Sequence, residues 1–143
     1  MIWHETGVAR ALIDLPHSHR VVLAEDDAGL RRVSELLLQR LGQNVMVVAD
    51  GAEAVAAFRS FRPELVFLDL EMPVMDGLEA ARMIRSQAGG RAVRLVALTG
   101  QAEDQAIQQT QEAGFDAHLV KPVAPHRLVE LLKGLPTAET TES

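Results

Sequence analysis

Five short apolar runs, each followed by a stretch with helical periodicity, constrain the fold of this chain more than any other feature. The runs span residues 20–25, 44–49, 65–69, 93–99 and 117–120. They are rich in Val and Leu and lack apolar/polar alternation, which is typical of parallel strands that are buried on both faces. The sequence therefore predicts an α/β fold in which five β-α units build a parallel sheet covered by helices on both sides.

The first helical segment, near residues 28–41, carries more leucine than a sheet-facing helix needs. One apolar stripe, which we predict to face the sheet, consists of Leu30, Val33, Leu37 and Leu41. Leu36 and Leu38 widen the stripe. These two side chains either pack laterally or face a partner.

The later helical segments differ in how firmly the pattern anchors them. Asp76 and Glu79 have the spacing of a capping box, which satisfies unpaired backbone donors at the start of the third helix. The fourth segment, residues 102–113, offers mainly alanines and Ile107 to the core, so we expect it to be the loosest helix. The fifth helix begins after Pro125.

Length and charge limit the domain count and the partners. A chain of 143 residues is about the size of one domain, and we assign residues 20–135 to it. Residues 1–19 are an extension whose sequence fits the end of a preceding domain, an artificial remnant or a short extra strand; residues 136–143 are predicted to be a disordered tail. The net charge of −6 disfavours direct binding to nucleic acid or to anionic membranes. No cysteine and no membrane-spanning apolar run occur, so we expect a cytoplasmic protein.

Acidic, hydroxyl and basic residues follow four of the predicted strands. Glu25, Asp26, Asp69, Thr99 and Lys121 all stand at predicted strand ends. Ligands of open α/β sheets bind beyond the carboxyl ends of the strands, so these side chains are expected at one rim. Carboxylates held close together repel unless a cation lies between them, and Mg²⁺ prefers oxygen ligands. An amine and a hydroxyl beside such a cation suit phosphoryl transfer.

The segments VVLAEDD, VFLDLEMPVMDG, VALTG and HLVKPV, in this order and spacing, resemble the response-regulator receiver (CheY-like) family over about residues 20–134. The resemblance implies a flavodoxin-like doubly wound (βα)5 fold with strand order 2-1-3-4-5. It also implies a phosphoacceptor of a two-component or phosphorelay system rather than an enzyme acting on a separate substrate. The segments LGQNVMVVADGAEAV and EAGFDAHLVKPV are most similar to receivers of hybrid sensor histidine kinases, although a stand-alone regulator remains open.

The family pattern assigns the metal site and the acceptor residue by position. Asp69 is the implied phosphoacceptor. Glu25 and Asp26 form the acidic pair, Asp26 and Asp69 bind Mg²⁺ directly, and Glu71 adds its backbone carbonyl. Mn²⁺ is an alternative occupant. Glu25 replaces the Asp that is more frequent in the family, and its longer arm can reach the metal through water.

The remaining assignments concern transfer and signalling. Lys121 pairs with the phosphoryl group, and the bond before Pro122 is expected to be cis. Thr99 is expected to follow the new phosphate, while the side chains of Glu71 and Gln101 tune dephosphorylation. The phosphoryl group is expected from a histidine kinase or a histidine phosphotransfer protein. The readout face is expected at the fourth helix, the fifth strand and the fifth helix.

One position departs from the family. His118 stands where a Tyr or Phe that turns inward on activation is common, so the resemblance does not carry over the aromatic form of the switch. A histidine there can still rotate toward Thr99, and it adds a group that titrates near physiological pH.

The same residues fit other functions less well. A flavodoxin-type electron carrier is disfavoured because acids follow the first strand, where a flavin phosphate would bind, and aromatic residues form only 3% of the chain. An aspartate-nucleophile phosphatase would have Asp where Glu71 stands. A binding module without phosphorylation stays open. Asp27 is interpreted as a helix N-cap rather than a metal ligand, and His4-Glu5 lacks the surroundings of a kinase phosphodonor site.

Overall fold

The computed structural model describes residues 17–100 and 104–135. The strands are β1 (Arg20–Ala24), β2 (Asn44–Val48), β3 (Leu65–Asp69), β4 (Arg94–Thr99) and β5 (Ala117–Val120). The helices are α1 (Ala28–Arg40), α2 (Gly51–Phe61), α3 (Gly77–Ser86), α4 (Asp104–Ala113) and α5 (Pro125–Lys133). Every predicted element is present, with ends that differ by a residue or two. In the described part of the chain, none of the helices combines the length and the apolar character needed to cross a bilayer.

All five strands are parallel and form one sheet in the order β2-β1-β3-β4-β5, which confirms the predicted topology. The register pairs Ala24 with Leu68, Asp69 with Leu98 and Thr99 with Val120. The carboxyl ends of β1, β3, β4 and β5 therefore lie side by side. The residues that follow them share one edge of the sheet.

Each face of the sheet has its own hydrophobic core. Val66 and Leu68 point to the side covered by α2 and α3, while Leu65 and Phe67 point to the side covered by α1 and α5. All four of these residues are at most 1% exposed. Burying such a side chain stabilises the fold by about 1.5–3 kcal/mol. The unbroken apolar runs thus reflect two buried faces, as predicted.

The predicted sheet-facing stripe of α1 is wrong in its first half. Leu38, which the pattern placed at the edge, is 1% exposed, whereas Leu30 and Val33 are 37% and 65% exposed. The first turns of α1 border a narrow cleft that Lys121 and Val123 also line. The α1 side chains that belong to the core on this face lie further along the helix, at Leu37 and Leu38.

Acidic side chains cap the helices that start at the site. Asp27 Oδ1 accepts a hydrogen bond from the Leu30 amide at 2.9 Å, which supports its interpretation as an N-cap. Asp76 Oδ1 accepts one from the Glu79 amide at 2.9 Å, and Asp50 caps α2. Such caps typically contribute about 1 kcal/mol each. They also fix the direction in which the chain leaves the sheet edge.

Candidate functional site

The strand ends bring the predicted residues together. Glu25 follows β1, and its amide donates to the Val48 carbonyl at 3.1 Å, which extends the sheet by one residue. Asp69 and Thr99 end β3 and β4, and the Lys121 amide donates to the Thr99 carbonyl at 2.7 Å. Glu25 and Asp69 are buried and Thr99 is 9% exposed. The backbone of the sheet therefore positions four side chains at one edge.

One ammonium group joins the two buried carboxylates. Lys121 Nζ donates to Glu25 Oε1 at 3.2 Å and to Asp69 Oδ2 at 3.1 Å. The two acids are hardly accessible, while the Lys121 side chain is 20% exposed. Removing one partner from such a buried ion pair leaves an uncompensated charge, which is costly. Lys121 thus holds a position from which it also faces any group attached to Asp69.

The three charges shift one another's titration. Burial, together with a hydrogen bond to Asp69, raises the pKa of Glu25 to about 7. Burial alone would raise the pKa of Asp69, but hydrogen bonds from Glu25, the Glu71 amide and Lys121 lower it below its usual value. Burial opposes a charged Lys121, yet its contacts with Asp69 and Glu25 raise its pKa. Near neutral pH, Asp69 is therefore ionised, whereas Glu25 is protonated in part of the molecules.

Glu25, Asp26 and Asp69 form a group of acids suited to a cation. Each offers a carboxylate oxygen, and these oxygens lie within 4.8 Å of one another. The Asp26 side chain is exposed, and no hydrogen bond or ion pair among residues 17–100 and 104–135 involves its carboxylate. An all-oxygen set with one open side fits Mg²⁺, which usually keeps several waters. The role of the Glu71 carbonyl as a further ligand stays a prediction.

Close backbone packing fixes the loop between β3 and α3. The Glu71 amide donates to Asp69 Oδ1 at 3.1 Å, and the Gly77 amide donates to the Leu70 carbonyl at 3.2 Å. A Cβ atom at Gly77 would lie 2.4 Å from the Asp69 carbonyl oxygen. The start of α3 therefore packs directly against the backbone of Asp69.

Val74, at the tip of this loop, has a strained backbone. Its φ of 69° lies in the region that β-branched residues rarely adopt, and the Met75 amide donates to the Pro73 carbonyl at 2.7 Å across it. This is a γ-turn of the rare, positive-φ kind. The Val74 side chain is 83% exposed, so packing against the described residues does not offset the cost of this backbone conformation.

The remaining predicted residues lie around the same edge or outside the described chain. The Lys121–Pro122 bond is cis, as predicted. His118 is half-buried on β5 opposite Ala97, and lines a surface cleft of about 310 Å³ together with Val120 and Arg127. Its predicted switching role stays a prediction. Gln101 lies outside the described residues, and so does His4.

Two residues near the site have no clear signal in the sequence. Arg31 Nη1 donates to the Glu25 carbonyl at 2.8 Å and to the Asp26 carbonyl at 3.4 Å. Gly51, at the start of α2, donates its amide to the Met75 carbonyl at 3.0 Å. An Arg-Arg pair in an amphipathic helix normally indicates a solvated face. Only the carbonyl-rich turn opposite Arg31 distinguishes it from Arg32.

Comparison with known proteins agrees with this geometry. The family model described as response regulator receiver domain matches residues 21–133. The DNA-binding response regulator MtrA of Mycolicibacterium paratuberculosis is 34% identical over 110 residues, covering 77% of this chain and 48% of MtrA. Probable histidine kinase 2 of Oryza sativa subsp. indica is 32% identical over 131 residues, covering 80% of this chain and 12% of the kinase. The chain thus spans about half the length of MtrA, and far less of the kinase.

Solved structures give the same fold. The receiver domain of the sensor histidine kinase PA1611 from Pseudomonas aeruginosa PAO1, with magnesium coordinated in its active site cleft, matches with a TM-score of 0.76 and 32% identity. That match covers 89% of this chain and all of the other. A complex between Ypd1 of Saccharomyces cerevisiae and the receiver domain of Ssk1 matches with a TM-score of 0.77 and 26% identity, covering 88% of this chain and 93% of that one.

Proposed function

The chain belongs to the response regulator receiver domain family, and from this premise we propose that Asp69 accepts a phosphoryl group from the phosphohistidine of a partner protein. The observation that carries the proposal is the contact of Lys121 Nζ with Asp69 Oδ2 at 3.1 Å, beside the buried Glu25 and the open Asp26. A carboxylate nucleophile, the Lys121 ammonium and a set of metal-binding oxygens thus lie within one small region.

Asp69 acts as the nucleophile. One of its carboxylate oxygens attacks phosphorus while the bond from phosphorus to the imidazole nitrogen breaks, and the bonding electrons leave with the imidazole. The Glu71 amide holds Asp69 Oδ1, so the carboxylate is oriented before the donor arrives. The lowered pKa of Asp69 keeps the nucleophile ionised at neutral pH. Lys121 and the Thr99 hydroxyl then contact the oxygens of the transferred group.

The acids fit Mg²⁺, with Mn²⁺ as an alternative. Glu25, Asp26 and Asp69, with the Glu71 backbone carbonyl, are the residues that would hold the ion. When bound, the ion would neutralise the negative charge that gathers on the phosphoryl oxygens during transfer. Before it binds, the Lys121 ammonium pairs with both buried acids and offsets part of their negative charge.

The partner in this proposal is a histidine kinase or a histidine phosphotransfer protein. Kinase-attached receivers and a receiver seen in complex with Ypd1 are among the similar proteins, which supports this choice. Thr99 and His118 would pass the signal to the face formed by α4, β5 and α5. The phosphorylated state must make contacts there that the free state lacks, because otherwise no population shift results.

Further parts of the proposal concern the lifetime of the phosphoryl group and the setting. Autodephosphorylation returns Asp69 to its free form, and the side chains of Glu71 and Gln101 tune its rate. Residues 20–135 form the receiver, and residues 1–19 and 136–143 flank it. We place the chain in the cytoplasm, without direct contact to nucleic acid or membrane in this segment.

Intact mass spectrometry after incubation with Mg²⁺ and acetyl phosphate tests the proposal. We expect one phosphoryl adduct on the parent protein and none on Asp69→Asn. Asp27→Asn is the matched control, because Asn also caps helices and residue 27 is outside the proposed chemistry. It should gain the adduct at the parent's rate. An adduct of equal yield on Asp69→Asn would remove Asp69 from its role, and no adduct on any protein would favour a binding module.

A further inference from the structure

We propose that Arg31 is a positioning residue that holds the Glu25–Asp26 turn in the geometry a divalent cation requires. The inference rests on the proposed function only in taking Glu25, Asp26 and Asp69 as the metal site. Arg31 itself touches neither the cation nor the phosphoryl group. It acts through the backbone of the two acids.

The side chain of Arg31 reaches back from the first turn of α1 to the end of β1. Its Nη1 donates to the Glu25 carbonyl at 2.8 Å and lies 3.4 Å from the Asp26 carbonyl, so one guanidinium bridges consecutive peptide groups. The Arg31 amide also donates to the Asp27 carbonyl at 2.9 Å, which ties the same residue to the helix start. Arg31 therefore ties both carbonyls of the turn to the first turn of α1.

Glu25 has other restraints, but Asp26 has few. The Glu25 amide bonds to the Val48 carbonyl, and its carboxylate accepts from Lys121 and from the Asp27 amide. Within residues 17–100 and 104–135, no hydrogen bond or ion pair involves the Asp26 carboxylate, and its side chain is exposed. Repulsion from the other acids favours turning it away from them. The backbone at residues 25 and 26 is then the main control on where Asp26 points.

The charge of Arg31 and its positioning role have opposite effects on cation binding. A positive charge near the site repels Mg²⁺, so removing the charge alone would tighten binding. Removing the grip on the two carbonyls would instead loosen the turn and weaken binding. The direction of the change therefore separates the two effects.

Arg32 provides a matched control. It carries the same charge one residue further along, but within the described part of the chain its Nη1 bonds to Glu35 of the same helix alone, at 2.9 Å, and its side chain is 64% exposed. Arg32→Met removes one solvent-screened charge and no contact to the turn. Arg31→Met removes both the charge and the contact to the two carbonyls, and Arg31→Lys keeps the charge on a shorter side chain whose ammonium cannot take the place of Nη1.

Isothermal titration of the full 143-residue chain with MgCl₂ measures the effect. We expect Arg31→Met to bind Mg²⁺ at least about fivefold more weakly than the parent, since partners behind metal ligands often change affinity by about tenfold or more. Arg32→Met should stay within about twofold of the parent or bind slightly more tightly. Arg31→Lys should fall between the parent and Arg31→Met. Urea unfolding without Mg²⁺ shows beforehand whether each variant is folded.

The inference would be overturned if the parent bound no Mg²⁺. It would also be overturned if Arg31→Met bound Mg²⁺ as tightly as Arg32→Met, or more tightly. If Arg31→Met does not fold, Arg31→Lys decides, and affinity equal to the parent's contradicts the proposal. The rate of adduct formation with acetyl phosphate is a second readout, which should recover at saturating Mg²⁺. Weaker Mg²⁺ binding without any adduct on the parent would keep this inference and remove the proposed phosphoryl transfer.

Discussion

The two sides of the candidate site, the one after β1 and β3 and the one after β4, are built differently. On the acidic side, the turn at residues 25–27 and the loop at 70–76 are held by backbone hydrogen bonds and by two glycines, Gly51 and Gly77, that meet other backbone atoms closely. On the other side, Gly100 follows β4, and among residues 17–100 and 104–135 no atom lies within 4 Å of the place where its Cβ would be. The acidic side is thus close-packed, and the side that leads to α4 is open at this point.

This difference matches two physical requirements. Like charges that must stay within a few ångströms of one another need a scaffold that resists their repulsion. A signalling element instead needs a second arrangement of similar free energy, which close packing would forbid. The chain separates these requirements by assigning them to neighbouring strands of one sheet.

The largest expected effect is a difference in stability between two variants that each add one methyl group, Gly77→Ala on the acidic side and Gly100→Ala on the other. Gly77→Ala would place Cβ 2.4 Å from the Asp69 carbonyl oxygen and 2.9 Å from the Leu70 Cα. Because both are backbone atoms, the clash is relieved only if the chain at Asp69 and Leu70 shifts. We expect the free energy of unfolding to fall by about 3 kcal/mol. The Cβ of Gly100→Ala would meet no atom of the described residues, and this variant should change the free energy of unfolding by less than about 0.5 kcal/mol.

Urea unfolding of both variants, without Mg²⁺, measures these changes. The slope with denaturant should match the parent's, so that midpoints report stability. Equal losses at the two glycines would break the comparison, because the acidic side would then be no more tightly packed than the other.

Much of this architecture follows from the sequence. Because β3 is buried on both faces, its apolar run LVFLD reports strand and burial together, and Asp69 stands out as the one charge in it. Strand ends of a parallel sheet meet at one edge, so Glu25, Thr99 and Lys121 could be placed there without coordinates.

Contacts that depend on the path of a side chain could not be predicted. Arg31 bonds to carbonyl groups, which every residue has, so no partner marks it in the sequence. Val33 has the helical spacing of a core residue, yet it is 65% exposed and borders an open cleft instead of the packed core. Spacing gives the direction of a side chain but not the extent of the surface opposite it.

A second prediction concerns pH and the acidic side alone. Glu25 has a folded pKa of about 7, above its unfolded value of 4.5, so the folded protein binds more protons than the unfolded chain between these values. Stability without metal should therefore fall as the pH rises from about 5 to about 7.5. The expected loss is on the order of 2 kcal/mol. The raised pKa of Lys121 affects stability only at more alkaline pH, and the lowered pKa of Asp69 only in acid.

Glu25→Gln removes the titrating group and should flatten the profile between pH 5 and 7.5. Thermal unfolding over this range, with and without Mg²⁺, provides the measurement. In the parent, saturating Mg²⁺ should reverse the trend, because the cation favours ionised carboxylates. A parent profile as flat as that of Glu25→Gln would contradict the prediction, because ionisation of Glu25 would then not destabilise the folded protein.

The smallest expected effect is a difference in local opening between α3 and α4. In α3, Gly77, Ala80, Ala81 and Ile84 are buried and Asp76 caps the start; among residues 107–113 of α4, only Thr110 and Ala113 are buried. With less buried apolar surface, α4 should open more often, and its amides should exchange with solvent at least about tenfold faster than those of α3. Hydrogen exchange measured by mass spectrometry on the unphosphorylated protein tests this. Phosphorylation of Asp69 should slow exchange in α4 and leave α3 unchanged, whereas equal protection of the two helices in the free protein would contradict the idea that the side leading to α4 is the adjustable one.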